Sequence, residues 1–475
     1  MSKIDNTQLH QSQNPQELFD SYMDDRFNWR NSKILRELFV FITSIIALIG
    51  IIFWILYPNH CMSLYNPFTN ITNTIEKEAK IPAIVWYTSD FLCLPFNRKI
   101  NCSNGSRKFQ CELFRPQTQP DDAMGYLFDA AALEAMPLPR TPKTVWGLLH
   151  YESPVSRIMF MYEEALNLFN FSATYSRYSD VPSPFMWMEN EFSITTPMYF
   201  VPTAEKNSYL SKYAPVLYLQ SNCNSATERD AYVQKLMQYI KVDSYGFCLH
   251  NKVLPLGKMY GLPEESQYTY MNHIYGQELL KFIARYKFVI SIENAVCNDY
   301  VTEKFWRAIE VGTVPIYYGS PLIRDWLPNN KSAILLEDFP TPELLSQHLH
   351  YLLNNDTAYE EYLEHKTLAL VTNPNLLNEF GANYFQRDIT KIIANLECLV
   401  CERLHEDSDR VNIVTKKHYD CPLPTSALTL SVNPDNLWMK RIKEAKSTLD
   451  EMIEEIKNPD PNIRTTKTAW LSYRW

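Results

Sequence analysis

The chain has 475 residues, of which 46% are apolar and 11 are glycine, and its formal net charge is −9. A chain of this length exceeds the size at which one hydrophobic core keeps growing, so we expect two packed lobes with appendages. The scarcity of glycine argues against glycine-rich nucleotide loops and collagenous repeats. Nucleic-acid binding is excluded as a class, because phosphate contacts need clustered cations and the sequence has no long Lys/Arg block.

An uncharged apolar run near the N-terminus is long enough to cross a membrane. Residues 38–57 read LFVFITSIIALIGIIFWILY, and about 20 apolar residues span the hydrocarbon core as a helix. Lys33 and Arg36 precede the run, whereas the next basic residue after it is Lys77. The positive-inside rule therefore places residues 1–37 in the cytoplasm and predicts type II topology. A cleaved signal peptide is the alternative, but its apolar core would be shorter.

Sequons and cysteines both follow this run, as expected for a lumenal, oxidising environment. The sequons begin at Asn70, Asn101, Asn104, Asn170, Asn330 and Asn355. All 10 cysteines lie after residue 57 as well. Cys398 and Cys401 form a CxxC pair, for which structural disulfide bonding is favoured over zinc, because neither a second CxxC nor a matching His pair follows.

Short apolar runs alternate with helix-like stretches in the rest of the chain. Strands are predicted at 81–88, 144–151, 214–220, 286–293 and 313–319, and helices at 229–240, 302–311 and 341–355. This alternation favours βαβ units and parallel sheets. We therefore predict an α/β fold with a stem at 58–80, one lobe over 81–215, a second lobe over 216–401, and a ligand in the cleft between the lobes.

Residues 402–475 form a charged, proline-punctuated extension. Apolar side chains recur in it at spacings of four and three, namely Trp438, Ile442, Ala445, Leu449, Met452 and Ile456. This spacing predicts an amphipathic helix. Packing of the helix on its own lobe is favoured over a coiled-coil homodimer because the run is short.

Polar residues follow the predicted strand at 286–293. Glu293 and Asn294 end the strand, a polar loop follows, and Thr302 is placed to cap the next helix. Ligands bind at this edge of parallel sheets, where free backbone N–H groups at helix starts favour anions.

Lys304 lies in the first turn of that helix, where the helix dipole disfavours a cation unless an anion is near. A bound diphosphate would provide the anion. A surface ion pair with Glu303 or Asp299 accounts for Lys304 equally well.

The string ENAVCNDYVTEKFWRAIEVGTVPIYYGSP at 293–321 resembles the signature of the α1,3-fucosyltransferases, glycosyltransferase family 10, which reads E-N-x-x-x-x-D-Y-x-T-E-K before V-P-x-x-x-G. The segments at 151–154, 168–185 and 228–246 are similar to the same family in the same order. The resemblance covers about residues 81–401. It implies a GT-B architecture with two Rossmann-like lobes, an inverting reaction, and GDP-β-L-fucose as the donor.

The resemblance assigns roles to four residues in particular. It makes Glu152 the base that takes the proton from the acceptor hydroxyl. It makes Arg229 and Lys304 the cations that stabilise the departing diphosphate, and Glu303 an acceptor of hydrogen bonds from the ribose. Without the resemblance, Glu152 reads as an ordinary turn residue and Arg229 as a helix residue paired with a neighbouring acid.

Five further residues fall in segments that contact ligands in this family. Glu293, Asn294 and Tyr300 lie where the family contacts the donor, whereas Arg177 and Asp180 lie near the acceptor or the fucose. A buried Asn or Tyr that satisfies loop backbone is the alternative. No metal and no cofactor beyond the donor are expected, because two cations are available for the diphosphate and the Asp-x-Asp at 407–409 lies outside the motif region.

CLVC at 398–401 followed by YDCPLP at 419–424 resembles the divergent branch of the family. That branch is associated with O-fucosylation of Ser/Thr in EMI domains of secreted proteins. Fucosylation of GlcNAc on N-glycans is the alternative, and a catalytically silent, membrane-tethered binding protein is the alternative of another class. Catalysis is favoured because the base and the donor cations are present. The ending LSYRW is not a KDEL-like signal, so both endoplasmic reticulum and Golgi membranes remain open.

Overall fold

A computed structural model describes residues 81–87, 96–105, 107–255, 257–258, 276–382, 388–406 and 411–466. These residues belong to one compact unit, Lys77–Trp475. The cytoplasmic tail, the apolar run at 38–57, the stem at 58–80 and the sequon at Asn70 lie outside the described residues. Within the described part of the chain, no helix is long and apolar enough to cross a membrane.

The first sheet contains, in the described ranges, seven strands. They are β1 Ala83–Tyr87, β2 Arg98–Asn104, β3 Arg107–Phe114, β4 Gly125–Asp129, β5 Val145–His150, β6 Phe171–Thr174 and β7 Val181–Pro182. Their order in the sheet is β2-β3-β1-β4-β5-β6-β7. The β2–β3 hairpin is antiparallel, and the other neighbours pair in parallel. Strand β5 is buried along its whole length, as expected for a central parallel strand covered on both faces.

The second sheet is parallel throughout its described strands. They are β8 Val216–Gln220, β9 Val242–Gly246, β10 Phe288–Ile292, β11 Val314–Tyr318 and β12 Ile334–Leu335. The order is β12-β11-β10-β8-β9, and each pair of neighbours is parallel. The predicted α/β fold with parallel sheets is therefore confirmed.

Helices connect and cover the strands. The α-helices found in the described residues, numbered α1 to α13 in this order, are Glu163–Leu166, Phe192–Thr195, Thr203–Tyr209, Arg229–Leu236, Gln277–Ile283, Glu303–Val311, Ile323–Trp326, Pro342–Leu353, Asp356–Glu360, Glu364–Thr367, Pro374–Gly381, Ile389–Leu404 and Leu437–Lys457. Short 3-10 helices lie at Pro116–Thr118, Ala130–Ala132, Ile158–Met161, Leu336–Asp338, Glu361–Leu363 and Lys416–His418. Helices α4, α6 and α8 coincide with the three predicted ones to within a few residues.

Helix α12 returns to the first sheet. Its buried residues Ile392, Leu396 and Val400 share a core cluster with residues of the first sheet. A Cβ atom on Gly147 of β5 would lie 3.2 Å from Val400 Cγ2, so a glycine at this position lets the helix approach the strand closely. The lobe boundary predicted at residue 401 therefore does not follow the packing, because α12 covers the first sheet rather than the second.

Two disulfides join α12 to the β2–β3 hairpin. Cys102 pairs with Cys398, and Cys111 pairs with Cys401. The two cysteines of the CxxC pair lie one turn apart on the same face of the helix, and each bonds to a different strand of the hairpin. Both are therefore in disulfides, but with partners from the hairpin and not with each other.

The last part of the chain runs across both lobes. Residues 411–436, called the strap here, hydrogen-bond to the first lobe, where Val414 N donates to Phe169 O at 3.0 Å. They also bond to the second lobe, where Ala427 N donates to Thr227 O at 2.8 Å. Helix α13 follows the strap and buries Trp438, Ile442, Leu449, Met452 and Ile456. The predicted amphipathic helix thus packs on its own chain, within a core cluster of the first lobe.

Candidate functional site

One hydrogen bond joins a loop of the first sheet to a loop of the second sheet. Glu152 lies in the loop after β5, and Tyr300 lies in the loop after β10. Tyr300 Oη donates to Glu152 Oε2 at 2.9 Å. Both loops follow the carboxyl ends of parallel strands, the edge at which α/β sheets bind ligands. The structure therefore brings the predicted base and one predicted donor residue into contact.

Glu293 holds the start of helix α6. It is fully buried at the end of β10, and its two carboxylate oxygens accept hydrogen bonds from Thr302 N at 2.7 Å and Thr302 Oγ1 at 2.8 Å. Thr302 is the N-cap of α6, as predicted, and its side chain accepts from Lys304 N. Burial raises the pKa of Glu293, and the Lys304 ammonium opposes the rise.

Lys304 lies between two carboxylates. Its Nζ atom is 3.3 Å from Glu293 Oε2 and 3.1 Å from Glu303 Oε1. Burial would lower the pKa of Lys304, but the two carboxylates outweigh burial and raise it, so the ammonium stays charged. The ion pair that the sequence suggested with Glu303 is present. Asp299, the other suggested partner, bonds to Arg177 instead.

Glu303 is ionised at physiological pH. Burial opposes its ionisation, but Lys304 and Arg307 outweigh burial and lower the pKa of Glu303 to about 2. The carboxylate lies 3.8 Å from Arg307 Nη2. An ionised carboxylate accepts hydrogen bonds and donates none. The predicted role of Glu303 toward ribose hydroxyls stays a prediction.

The electrostatic setting of Glu152 differs from that of Glu303. Burial raises the pKa of Glu152, and Glu303 and Glu293 add to the rise, whereas Lys304 and the Tyr300 hydroxyl oppose it. A raised pKa makes this carboxylate a stronger base than an ordinary glutamate.

Two buried polar atoms near these residues lack hydrogen-bond partners in the described structure. They are Arg229 Nε and Asn294 Oδ1. The remaining guanidinium nitrogens of Arg229 donate to Ile292 O at 3.2 Å and Asn222 O at 2.7 Å. Arg229 is also near enough to Lys304 to lower the pKa of that lysine. Since buried polar atoms are normally satisfied, these two suit a polar ligand at the carboxyl end of β10.

The surroundings of Gly319 explain why the V-P-x-x-x-G motif ends in glycine. A Cβ atom on Gly319 would lie 2.6 Å from Glu293 Cγ and 2.7 Å from Tyr317 Oη. Both distances are shorter than van der Waals contact. Only glycine at the end of β11 therefore leaves room for the buried Glu293 side chain.

Arg177 joins the loop after β6 to the second lobe. Its guanidinium donates to Asp299 Oδ1 at 2.7 Å, lies 3.0 Å from Asp325 Oδ2 and 3.7 Å from Glu379 Oε1, and stacks on Trp326 at 4.3 Å from the ring centroid. This ionic cluster is an interlobe contact that the sequence did not predict.

Asp180 has a local structural contact. Its carboxylate accepts hydrogen bonds from Ser172 N at 2.8 Å and Ser172 Oγ at 2.9 Å. Asp180 therefore closes the loop that carries Arg177. Its predicted role near the acceptor or the fucose stays a prediction.

The sequons differ in their surroundings. Asn101, Asn104 and Asn330 are exposed, whereas Asn170 and Asn355 are partly buried. Asn170 Oδ1 accepts from Trp146 N at 2.8 Å, and Asn170 Nδ2 donates to Asn412 O at 3.0 Å. Both ends of the Asn170 amide are thus engaged within the protein.

Two groups of side chains in the described residues have ligand atoms close enough together for a metal. They are Cys111, Cys401 and His405, and Cys223, Asp230 and Cys248. The four cysteines form the disulfides Cys111–Cys401 and Cys223–Cys248. A disulfide sulfur is not the thiolate that zinc requires, so neither group is a metal centre in this state. The expectation of a metal-free reaction stays a prediction.

Comparisons with known proteins agree with the motif. Residues 78–186 match the family model described as Fucosyltransferase, N-terminal, and residues 209–418 match Glycosyltransferase family 10 (fucosyltransferase) C-term. The GDP-fucose protein O-fucosyltransferase 3 of Gallus gallus is 36% identical over 361 residues, which cover 72% of each chain. The chain belongs to glycosyltransferase family 10. The family resemblance of the 293–321 string is thereby confirmed.

Other family 10 relatives carry two kinds of name. The GDP-fucose protein O-fucosyltransferase 3 of Danio rerio is 36% identical over 391 residues, covering 79% of this chain and 82% of the relative. The Alpha-(1,3)-fucosyltransferase B of Drosophila melanogaster is 36% identical over 351 residues, covering 72% and 76%. A crystal structure of an alpha1,3-fucosyltransferase is 17% identical, with a TM-score of 0.41 over 72% of this chain and 94% of that one.

The sequence did not predict the residues that fix the loop of Glu152. Tyr419 Oη bonds to His150 Nε2 and donates to the backbone carbonyl of Glu152. Tyr419 lies two residues before Cys421, whose pairing with Cys297 places it beside the β10 loop. The sequence alone does not give this pairing.

Proposed function

We propose that this chain transfers L-fucose from GDP-fucose to Ser/Thr hydroxyls of secreted proteins that contain EMI domains. The observation that carries the proposal is the contact between Glu152 of the first lobe and the Tyr300–Lys304 segment of the second. It combines a carboxylate of raised pKa with the Lys304 ammonium. The relatives named GDP-fucose protein O-fucosyltransferase 3 support GDP-fucose as donor and a protein as acceptor.

Inversion at the fucose C1 atom needs a base on one face and the leaving diphosphate on the other. In this proposal Glu152 takes the proton of the acceptor hydroxyl as its oxygen attacks C1, and the C1–O bond to the diphosphate breaks. Lys304 and Arg229 stabilise the negative charge that develops on the departing GDP. The two sheets act as the two lobes of a GT-B fold with the reaction in the cleft between them.

The remaining predicted residues complete the donor side. Glu303 accepts hydrogen bonds from the ribose, and the unsatisfied Asn294 Oδ1 and Arg229 Nε bind polar groups of the nucleotide. Glu293 keeps Lys304 in place through the ion pair of 3.3 Å. No metal is required in this scheme, because Lys304 and Arg229 supply positive charge for the diphosphate.

Fewer of the predicted residues belong to the acceptor side of the site than to the donor side. Arg177 and Asp180 shape it by fixing the loop after β6 against the second lobe. The alternative acceptor is GlcNAc of an N-glycan, and the Alpha-(1,3)-fucosyltransferase B relative from Drosophila melanogaster favours it.

We also propose that residues 38–57 anchor the chain as a type II membrane protein, with the catalytic part in the lumen of the endoplasmic reticulum or Golgi. The four disulfides found among the described residues support this, because disulfides form and persist in oxidising compartments.

The test is a transfer assay in which the full chain receives labelled GDP-fucose and either a folded EMI domain or an N-glycan acceptor. Label on protein Ser/Thr supports the proposal, and label on GlcNAc supports the alternative. Intact GDP-fucose binding without transfer to either acceptor supports a silent binding protein.

The role of Glu152 is tested in the same assay. Glu152→Gln should bind GDP-fucose and lose transfer, whereas Glu343→Gln, at an exposed position on helix α8, should behave as wild type. A Glu152→Gln variant with the wild-type rate would show that Glu152 is not the base.

A further inference from the structure

The hydroxyl of Tyr419, a residue of the strap, lies against the backbone of the proposed base. Tyr419 Oη is 2.8 Å from the carbonyl oxygen of Glu152 and 2.8 Å from His150 Nε2. Tyr419 is 1% exposed and His150 is 2% exposed, so water does not replace these hydrogen bonds. Two residues that are 269 positions apart in the chain therefore meet beside the backbone of Glu152.

The direction of these hydrogen bonds follows from the groups involved. Burial and the nearby Arg157 lower the pKa of His150 to about 3, so the imidazole is neutral and carries one N–H. A carbonyl oxygen only accepts, so Tyr419 donates its single proton to Glu152 O. The Tyr419 oxygen must then accept from His150 Nε2–H, which fixes the tautomer of the histidine.

The Tyr419 ring is held on several sides. His150 stacks on it with ring centroids 4.7 Å apart, and Tyr175 packs on it at 5.1 Å. The disulfide Cys297–Cys421 fixes the backbone two residues beyond Tyr419. The same disulfide lies three residues before Tyr300, which bonds to the Glu152 carboxylate.

We propose that Tyr419 is a positioning residue for Glu152 and that it acts together with His150. This inference rests on the proposed role of Glu152 as the base. Tyr419 fixes the backbone of the glutamate, and Tyr300 fixes one carboxylate oxygen, Oε2. The other oxygen, Oε1, is thereby directed toward the acceptor hydroxyl. The strap, which lies outside the 293–321 motif, thus contributes to catalysis.

Tyr419→Phe tests this, because phenylalanine keeps the ring packing and removes only the hydroxyl. The turnover number should fall about tenfold, since a displaced base loses rate steeply with small shifts, while the Kd for GDP-fucose stays within about twofold. The acid limb of the pH–rate profile should move to lower pH. A loosened carboxylate gains solvent, and burial is the main reason for its raised pKa, ahead of Lys304, Tyr300, Glu303 and Glu293.

The matched control is Tyr162→Phe. Tyr162 Oη also donates to a backbone carbonyl of the C-terminal extension, Ile442 O at 2.9 Å, but it does not contact Glu152. This variant loses a hydrogen bond of the same kind and should keep the wild-type turnover number and pH profile.

Comparing Glu152→Gln with the double variant Glu152→Gln/Tyr419→Phe distinguishes a positioning role of Tyr419 from a general effect on the structure. In a Glu152→Gln background, Tyr419→Phe should cause no further loss of the residual rate, because it acts through the missing carboxylate. A further tenfold loss would overturn the inference, as would a wild-type turnover number and pH profile for Tyr419→Phe alone. Full transfer by Glu152→Gln alone would instead refute the proposed base, so the two failures are distinguishable.

Discussion

Replacing Lys304 with methionine should lower the free energy of unfolding by about 3 kcal/mol, because it removes the cation between two buried carboxylates. At an effective dielectric constant of about 20, unit charges at the observed separations of 3.3 Å and 3.1 Å attract each other by about 5 kcal/mol per pair. Desolvation of the ammonium offsets part of this attraction in the wild type.

The loss of stability in Lys304→Met arises mainly from the unpaired Glu293 carboxylate. Glu303 keeps Arg307 at 3.8 Å as a second cation, whereas Glu293 keeps, among its contacts in the described structure, the two hydrogen bonds from Thr302. Removing one partner of a buried pair costs about 3–5 kcal/mol, and we expect the lower value because these hydrogen bonds remain.

Urea unfolding of Lys304→Met and of the double variant Glu293→Gln/Lys304→Met measures the effect. The double variant should recover most of the lost stability, because a neutral amide needs no cation, but it should not recover GDP-fucose binding. The deficit of the single variant should also grow as the pH rises from acidic to neutral. Lys304 opposes the rise in the pKa of Glu293 that burial causes. Without Lys304 this pKa rises further, and the uncharged carboxyl, which needs no cation, is lost over that range. A stable single variant, or a double variant without recovery, would refute the charge argument.

Three further results are expected. The transfer rate should fall with decreasing pH through the raised pKa of Glu152, and a pH–rate profile with its acid limb in the ordinary glutamate range would contradict this. Urea unfolding should show a loss of about 1 kcal/mol for Cys398→Ser but about 4 kcal/mol when Cys398 and Cys401 are both changed, because either disulfide alone closes nearly the same loop. A loss for the single variant of about half that of the double variant would instead mean that the two bridges act independently. Glycopeptide mass spectrometry should find Asn170 unmodified, in contrast to the exposed Asn330, since the amide of Asn170 is engaged at both ends.

The second sheet could be predicted from the sequence because its central strands are buried on both faces. Such strands appear as continuous apolar runs, as in FVISI of β10 and VPIYY of β11. The β2–β3 hairpin was not predicted, because RKINCSN and RKFQCELF mix charged and apolar residues on an edge of the sheet. Its covalent attachment to helix α12 depends on cysteines almost three hundred residues away.

The candidate site was predictable where its residues are close in sequence. The helix dipole argument identified Lys304 as a cation that needs an anion, and the structure provides two carboxylates, Glu293 and Glu303. The contacts of Arg177 with Asp299 and of Tyr419 with Glu152 join segments far apart in the chain. Local pattern carries no information on such pairs, because they depend on how the lobes and the strap are arranged.

The two bridges between the hairpin and α12 impose an order on biosynthesis. The paired cysteines are separated by 296 and 290 residues. At a translation rate of about 5–20 residues per second, the hairpin thiols leave the ribosome roughly 15–60 s before their partners exist. During that interval Cys102 and Cys111 are diagonal neighbours on paired strands, since Ile100 lies opposite Cys111 and Cys102 opposite Phe109. A premature bond between the two would leave both helix cysteines unpaired, so the yield of native enzyme should depend on how fast disulfide exchange corrects that error.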